Sequence, residues 1–300
     1  MGVAWTITAY AADPERATAA IGAAHDEVAR LERILSDYDP QSEVSRLSAR
    51  SPTPEPVPVG DDLWRALSRA VAIRDATGAA FDPTVGPLTA LWRQARRSGV
   101  MPLPEKLVAA RAAVGADCLV LDPARRSVML TRPGMRLDLG GIGMGDAVDR
   151  AVAVLRRDGV TTAMIDASGD VAVIGTPPGR PGWQVALAPL GRQEHDAADI
   201  VLADAAVTTS GDAFQSVTID GVRYSHVVDP RTGLGVAGPA AVTVIAADCT
   251  TADALATAAN VLGPEEGMRL ITAMPGCSAR FVWEAADGTR QEACSPGWPR

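Results

Sequence analysis

Apolar and polar residues alternate through VAWTITAY (residues 3–10), the period of a strand. Asp13-Pro14 follows, an N-cap with a proline at the first helical position. Ala17, Ile21, Ala24, Val28, Leu31 and Leu35 then recur at alternating spacings of four and three, one continuous helical stripe. His25 lies beside that stripe, on the helix surface. A second helix is predicted from about Asp62 to Ala76, stopping at Gly78. SGVMPLP is a connector, and a helix containing VAARAAV follows it. CLVLD and SVMLT read as a hairpin around Pro123 to Arg126. Beyond MRLDLGG the pattern gives a helix from about Asp146 to Arg157, then the strand TTAMIDA. GTPPGRPG is a loop, WQVALAPL and VTVIAA are strands, and a helix from Thr251 to Leu262 ends at Gly263-Pro264. Helices and strands interleave without a βαβ rhythm, so the fold class is α+β, with mixed or antiparallel sheets flanked by helices.

Composition narrows the picture. The 300 residues are 47% hydrophobic and 21% charged, a globular balance with enough chain for a large core. Thirty-six acids against 28 bases leave a net charge of -8, which disfavours a nucleic-acid partner. Arg93, Arg96 and Arg97 read as a solvated helix face. Cys118, Cys249, Cys277 and Cys294 are far apart and form no CxxC pair, which argues against a zinc site or a disulfide scaffold. No apolar run approaches the roughly 20 residues of a membrane span, and no secretory leader opens the chain.

Four segments place glycine, aspartate and proline where packing alone would not. In TGAAFDPTVGPLTALW, Asp82 precedes Pro83 and is held out of helical geometry, in a functional loop or a structural turn. LDLGGIGMGDAVD carries Gly140, Gly141, Gly143 and Gly145 just before a helix, a turn suited to an anion. It satisfies neither the dinucleotide fingerprint nor a P-loop. VTTSGDAFQ offers Thr209, Ser210 and Gly211 ahead of His226 in RYSHVVDPRTG, but Ser210 lacks the elbow of a serine hydrolase. His226 alone has the plain reading of a satisfied loop histidine. In CTTADALATAANVLG, Asp253 and Thr257 are four apart on one helix face. Their oxygens could hold a hard cation such as Mg²⁺, or belong to an amphipathic helix whose threonine bonds its own backbone.

Taken together, in this order and spacing, the segments resemble the ApbE family of FAD:protein FMN transferases. The resemblance runs from Met1-Gly2 through SDYDPQSEVSRL, GAAFDPTVGPLTALW, LDLGGIGMG, SGDV, TSGD and RYSHVVDPRTG to ADALAT. It implies one ApbE-like domain over residues 1–300, whose two intimately packed halves would hold FAD between them. It implies Mg²⁺ as cofactor, with Asp253, Thr257 and the Gly141 carbonyl as ligands. FAD is implied as substrate, with contacts at Met1, Tyr38, Ala80, Phe81, Asp82, Asp138, Val228 and the loop Thr209-Ser210-Gly211. His226 falls at the family's base, suited by an ordinary pKa of about 6.5 to take a proton near neutral pH.

The implied partner is an acceptor protein, a membrane redox subunit or a flavin-dependent reductase, that receives FMN on a threonine while AMP is released. An extracytoplasmic location is implied, although cytoplasmic forms occur. Two departures stand out: Met144 replaces a lysine or other charged residue of many members, and Ala213-Phe214 replaces a Tyr-Arg pair. The competing functions are an FAD pyrophosphatase, with water in place of threonine, and a flavin-binding protein without turnover.

Overall fold

The computed structural model describes residues 2–187, 190, 199–212, 215–285 and 287–299. The expectations for Met1, Ala213 and Phe214 lie outside these residues. Strand β1 (Thr6–Ala9) leads into helix α1 (Pro14–Leu35), whose start is capped as its sequence requires, the Asp13 carboxylate accepting from Arg16 N at 3.1 Å. Ala17, Ala24, Val28, Leu31 and Leu35 of the predicted stripe are buried, while Ile21 is half-buried and Ala20 is buried beside it. Helix α2 (Glu43–Ser48), the short strand β2 (Val57–Pro58) and helix α3 (Asp61–Ala76) follow. Helix α4 (Gly86–Ser98) and helix α5 (Pro104–Arg111) precede the predicted hairpin, β3 (Leu119–Asp122) and β4 (Ser127–Leu130).

Helix α6 (Gly143–Arg157) begins at the glycine turn, three residues earlier than the apolar pattern suggests. Strands β5 (Ala163–Ala167), β6 (Asp170–Ile174), β7 (Trp183–Ala186), β8 (Asp199–Leu202) and β9 (Ala205–Gly211) come next. Then follow β10 (Ser216–Ile219), β11 (Val222–Val228), β12 (Gly235–Ala237) and β13 (Ala240–Ala246). Helix α7 (Cys249–Ala273) and strands β14 (Ser278–Glu284) and β15 (Arg290–Cys294) complete the order. The Gly263-Pro264 stop is real but does not end the helical run. Gly263 sits at φ +77°, and a second helical stretch resumes after the kink.

Seven strands form one sheet in the order β1-β5-β6-β9-β13-β14-β15, and every pairing among the described residues is antiparallel. β10, β11 and β12 form a smaller sheet, β2, β4 and β3 another, and β7 pairs with β8. The class is α+β, as the irregular interleaving predicts. Helices α1 and α6 cover one part of the large sheet through Ala24, Val28, Ala151, Leu155 and Ile165. The first half of α7 covers the rest, setting Leu255, Ala256 and Ala259 against Val242, Val244 and Phe281. A third apolar body joins α1, α2, α3 and the β2-β4-β3 sheet around Leu31, Leu63, Leu67 and Leu137. The segment 137–143 runs between these bodies, which is why its glycines and aspartate matter below.

Candidate active site

Helices α6 and α7 meet at their N-termini. A Cβ on Gly145 would lie 2.5 Å from the carbonyl oxygen of Cys249 and 2.8 Å from Cα of Thr250, so only glycine permits this approach. The two helices cap one another there. Asp149 of α6 accepts from the backbone amides of Cys249 and Thr250 at 2.8 and 2.9 Å, satisfying first-turn donors of α7. Asp253 of α7 accepts from Gly145 N at 3.1 Å, in the first turn of α6, which has no side-chain cap of its own. Gly143, by contrast, has nothing closer than 3.7 Å to a Cβ. Part of the glycine-rich turn therefore serves helix–helix contact, where the sequence suggested only room for a ligand.

The same close approach sets Thr257 against Gly141: a Cβ there would be 2.8 Å from Thr257 Oγ1. Asp253 is 6% exposed, and its pKa is raised well above the carboxylate range, first by burial and then by the charge of Asp170. Asp170, at the start of β6, is itself pushed up to about 7 by burial, with Asp166 adding repulsion against a favourable hydrogen bond from Thr208. Two carboxylates that disfavour each other's charge in a dry setting fit a hard cation. A third buried acceptor points the same way: Asn260 Oδ1, three residues beyond Thr257, has no hydrogen-bond partner among the described residues. Among the described residues no group of three or more His, Cys, Asp or Glu side chains converges. A Mg²⁺ ion does not require one, since it commonly takes one or two carboxylates and leaves its other positions to neutral oxygens, water or phosphate. The donor set of Asp253, Thr257 and the Gly141 carbonyl fits that habit.

The segment carrying Gly141 also carries Asp138. Its Oδ1 accepts from Gly140 N at 2.8 Å, and its Oδ2 accepts from Thr89 Oγ1 at 2.6 Å and Arg93 Nη2 at 3.1 Å. Arg93 donates at the same time to Asp37 at 2.5 Å and lies 4.0 Å from the ring centroid of Tyr38. Arg93 is thus no solvated helix residue: the expected basic face of α4 is turned inward at this position, with 17% of the side chain exposed. Tyr38 is 68% exposed.

Helix α4 reaches the histidine as well. Trp92 Nε1 donates to the Gly233 carbonyl at 2.9 Å, and its ring tilts against Tyr224 of β11 at 5.0 Å. Two residues on, His226 belongs to strand β11 rather than a loop, its amide donating to the Gln215 carbonyl. Nδ1 of His226 is 3.2 Å from that same carbonyl oxygen. A carbonyl only accepts, so Nδ1 carries the proton and the lone pair is left on Nε2. Burial lowers the pKa of His226, and the positive charge of Arg96 lowers it further. Arg96 is tied to the same residue, donating to Gln215 Oε1 at 2.7 Å.

The remaining expected contacts sort into two kinds. Thr209, Ser210 and Gly211 form the end of β9 and not a loop, paired with Thr243, Val242 and Ala241. Ser210 Oγ accepts from Asn260 Nδ2 at 3.2 Å, and the Thr209 and Thr243 hydroxyls are 2.8 Å apart. Ala80, Phe81 and Val228 are buried in apolar clusters and can offer a ligand little beyond backbone. Asp82 accepts from the amide and hydroxyl of Thr84, which makes it a structural turn. Met144 packs against the α1–α6 core.

Asp170, Asn260, Gln215, Arg93 and Arg96 were missed as site residues. Asp170, Gln215 and Asn260 lay inside the segments SGDV, VTTSGDAFQ and CTTADALATAANVLG without being singled out, and Arg93 and Arg96 read as a solvated face. Their roles depend on contacts between distant segments.

This architecture is shared with solved flavin transferases. The structure matches the flavin transferase ApbE from Vibrio cholerae with a TM-score of 0.86 at 30% identity, covering 99% of this chain and 95% of that one. In sequence the chain is 32% identical over 294 residues to the FAD:protein FMN transferase of Treponema pallidum, covering 90% of this chain and 79% of the relative. It is also 32% identical over 265 residues to the V. cholerae FAD:protein FMN transferase, covering 87% and 78%. The class is that of flavin transferases. The family model for the ApbE family matches residues 1–281, and the chain belongs to that family.

Proposed function

We propose that the protein transfers FMN from FAD to a threonine hydroxyl of an acceptor protein and releases AMP. The observation that carries the chemistry is His226, with Nδ1 turned to a carbonyl, Nε2 without a partner among the described residues and the imidazole biased toward its neutral form. The threonine oxygen bonds to the FMN phosphorus while the bond from that phosphorus to the bridging pyrophosphate oxygen breaks, and AMP departs with that oxygen. The hydroxyl proton passes to Nε2 of His226. Asp253, Thr257 and the Gly141 carbonyl would hold Mg²⁺, which when bound offsets charge on the pyrophosphate oxygens. Tyr38, Asp138 and the Thr209–Gly211 strand end orient FAD, and Arg96 adds positive charge beside the base. Residues 1–300 are read as one transferase domain with FAD between its packed halves.

The test is incubation with FAD, Mg²⁺ and an acceptor domain presenting a threonine, followed by flavin fluorescence on a denaturing gel. The wild-type protein labels the acceptor, and His226→Ala reduces the rate by about 10²–10⁴-fold, the worth of a positioned general base. AMP and free FMN with a dark acceptor would instead establish a pyrophosphatase.

A further inference from the structure

Arg93 is held by more partners than any other cation of the site. One guanidinium donates to Asp37 at 2.5 Å and Asp138 at 3.1 Å and lies 4.0 Å from the Tyr38 ring. Both carboxylates are nearly buried, at 5% and 7% exposure, so the pairs are shielded from water. Burial and the neighbouring Asp138 charge push the Asp37 carboxyl up, and Arg93 opposes both. Arg136 adds a 2.6 Å hydrogen bond to the Asp37 carbonyl, fixing the backbone directly before Tyr38. Tyr38 itself is 68% exposed. A tyrosine that open ordinarily exchanges rotamers freely. Here a pinned, planar cation lies against one face and the rest of the ring is left to solvent.

We propose that Arg93 is a positioning residue for the substrate's planar ring: it fixes Tyr38 as a stacking platform and Asp138 as a hydrogen-bond acceptor in one rigid unit. This rests on the flavin-transferase reading and adds to it how the ring site is preorganised. A lysine could keep the charge and one ion pair, but not the flat face or the simultaneous grip on both carboxylates. The isoalloxazine and adenine rings of FAD share the stacking chemistry, and separate probes distinguish them.

The experiment measures binding of riboflavin and of adenosine, and steady-state FMN transfer, for wild type, Arg93→Lys, Tyr38→Leu and the double variant. Arg93→Lys is expected to weaken one ring probe and raise KM for FAD about five- to tenfold, as loss of a cation–π contact and of preorganisation would. Its kcat should stay near wild type, while the thermal midpoint falls because one nearly buried carboxylate loses its cation. A bound riboflavin should also regain fluorescence as stacking loosens. In the Tyr38→Leu background the lysine change should add little, because the two residues act as a unit. Loss confined to riboflavin assigns the platform to isoalloxazine, and loss confined to adenosine assigns it to adenine.

Arg93→Lys binding both probes as tightly as wild type overturns the inference, as does full additivity with Tyr38→Leu or a fall in kcat with KM unmoved. A wild-type protein that binds neither ring removes the flavin reading and this inference together. If Arg93→Lys fails to fold, Arg93→Gln combined with Asp37→Asn, which removes the charge mismatch, carries the same binding test with the same outcomes.

Discussion

Replacing Gly145 by alanine tests the junction that brings Asp253 to α6. The added Cβ would meet the Cys249 carbonyl oxygen at 2.5 Å and its carbon at 2.7 Å. A carbon rests on a carbonyl oxygen at about 3.3 Å, so the two helix starts must part by about 0.8 Å. Both sides of the contact are backbone, and no side chain can turn away. The cost belongs at the upper end of overpacking, about 3 kcal/mol. Against it stands a helix-propensity gain of about 1 kcal/mol for alanine over glycine. The net loss is about 2 kcal/mol. With an unfolding entropy of about 2.1 cal/mol/K per residue, a chain of 300 residues loses about 3 °C in thermal midpoint. Gly143→Ala is the internal control, since its Cβ finds only ordinary contacts at 3.7 and 3.9 Å. It should melt at or about 1 °C above wild type. Midpoints come from circular dichroism, and the same samples are assayed for FMN transfer. Gly145→Ala should also lose activity, because Gly145 N is a hydrogen-bond partner of Asp253. A Gly145→Ala protein that melts with Gly143→Ala, at full activity, would refute the idea that helix contact dictates this glycine.

Three further outcomes follow from the site's geometry. Gly141→Ala puts a methyl 2.8 Å from Thr257 Oγ1, the tip of a side chain that can rotate, so transfer activity should fall at least tenfold while urea unfolding moves by less than about 1 kcal/mol. Because burial and Arg96 hold the His226 pKa below its usual value, the acidic limb of kcat/KM should lie below about pH 6.5. Arg96→Ala should move that limb upward, and an unmoved limb would separate Arg96 from the base. Asp170 titrates at about 7 when folded and near 3.9 when unfolded, so the folded state binds the extra proton between those values. In chelator, Asp170 should therefore make stability fall as pH rises from 4 to 7, on top of the fall contributed by the likewise raised Asp253. Mg²⁺ should restore it above pH 7, and Asp170→Asn should make the slope shallower.

How much was legible in the sequence depends on the range over which each feature is decided. The stripe of α1 and its Asp13 cap are local, and the structure reproduces both. So is the glycine-proline break near 263, although the pattern could not show that a second helix resumes directly after it. The Thr209–Gly211 segment looks like a loop because hydroxyls and glycine favour turns, yet pairing with β13 draws it into the large sheet. His226 was singled out beside its Asp-Pro turn, but what orients its ring and lowers its pKa is Gln215 across the β10–β11 pairing and Arg96 from α4. Neither is visible from local spacing.

Helix α4 carries side chains to both Tyr38 and His226. Its arginines read as a solvent face because three of them cluster within five residues, from Arg93 to Arg97. In the fold, Trp92 is buried beneath β11, and that rotation sets Arg93 toward Tyr38 and Asp138 and Arg96 toward Gln215. One amphipathic helix therefore serves both ends of the site, through a hydrophobic anchor and two cations one turn apart. A consequence is that Trp92→Phe, which keeps most of the apolar bulk but leaves the Gly233 carbonyl without its indole donor, should cost about 1–3 kcal/mol of stability. It should also disturb FAD binding and the His226 pH limb together. If Trp92→Phe destabilises the fold yet leaves both readouts in place, α4 is only a scaffold, and its two arginines act independently of how it is seated.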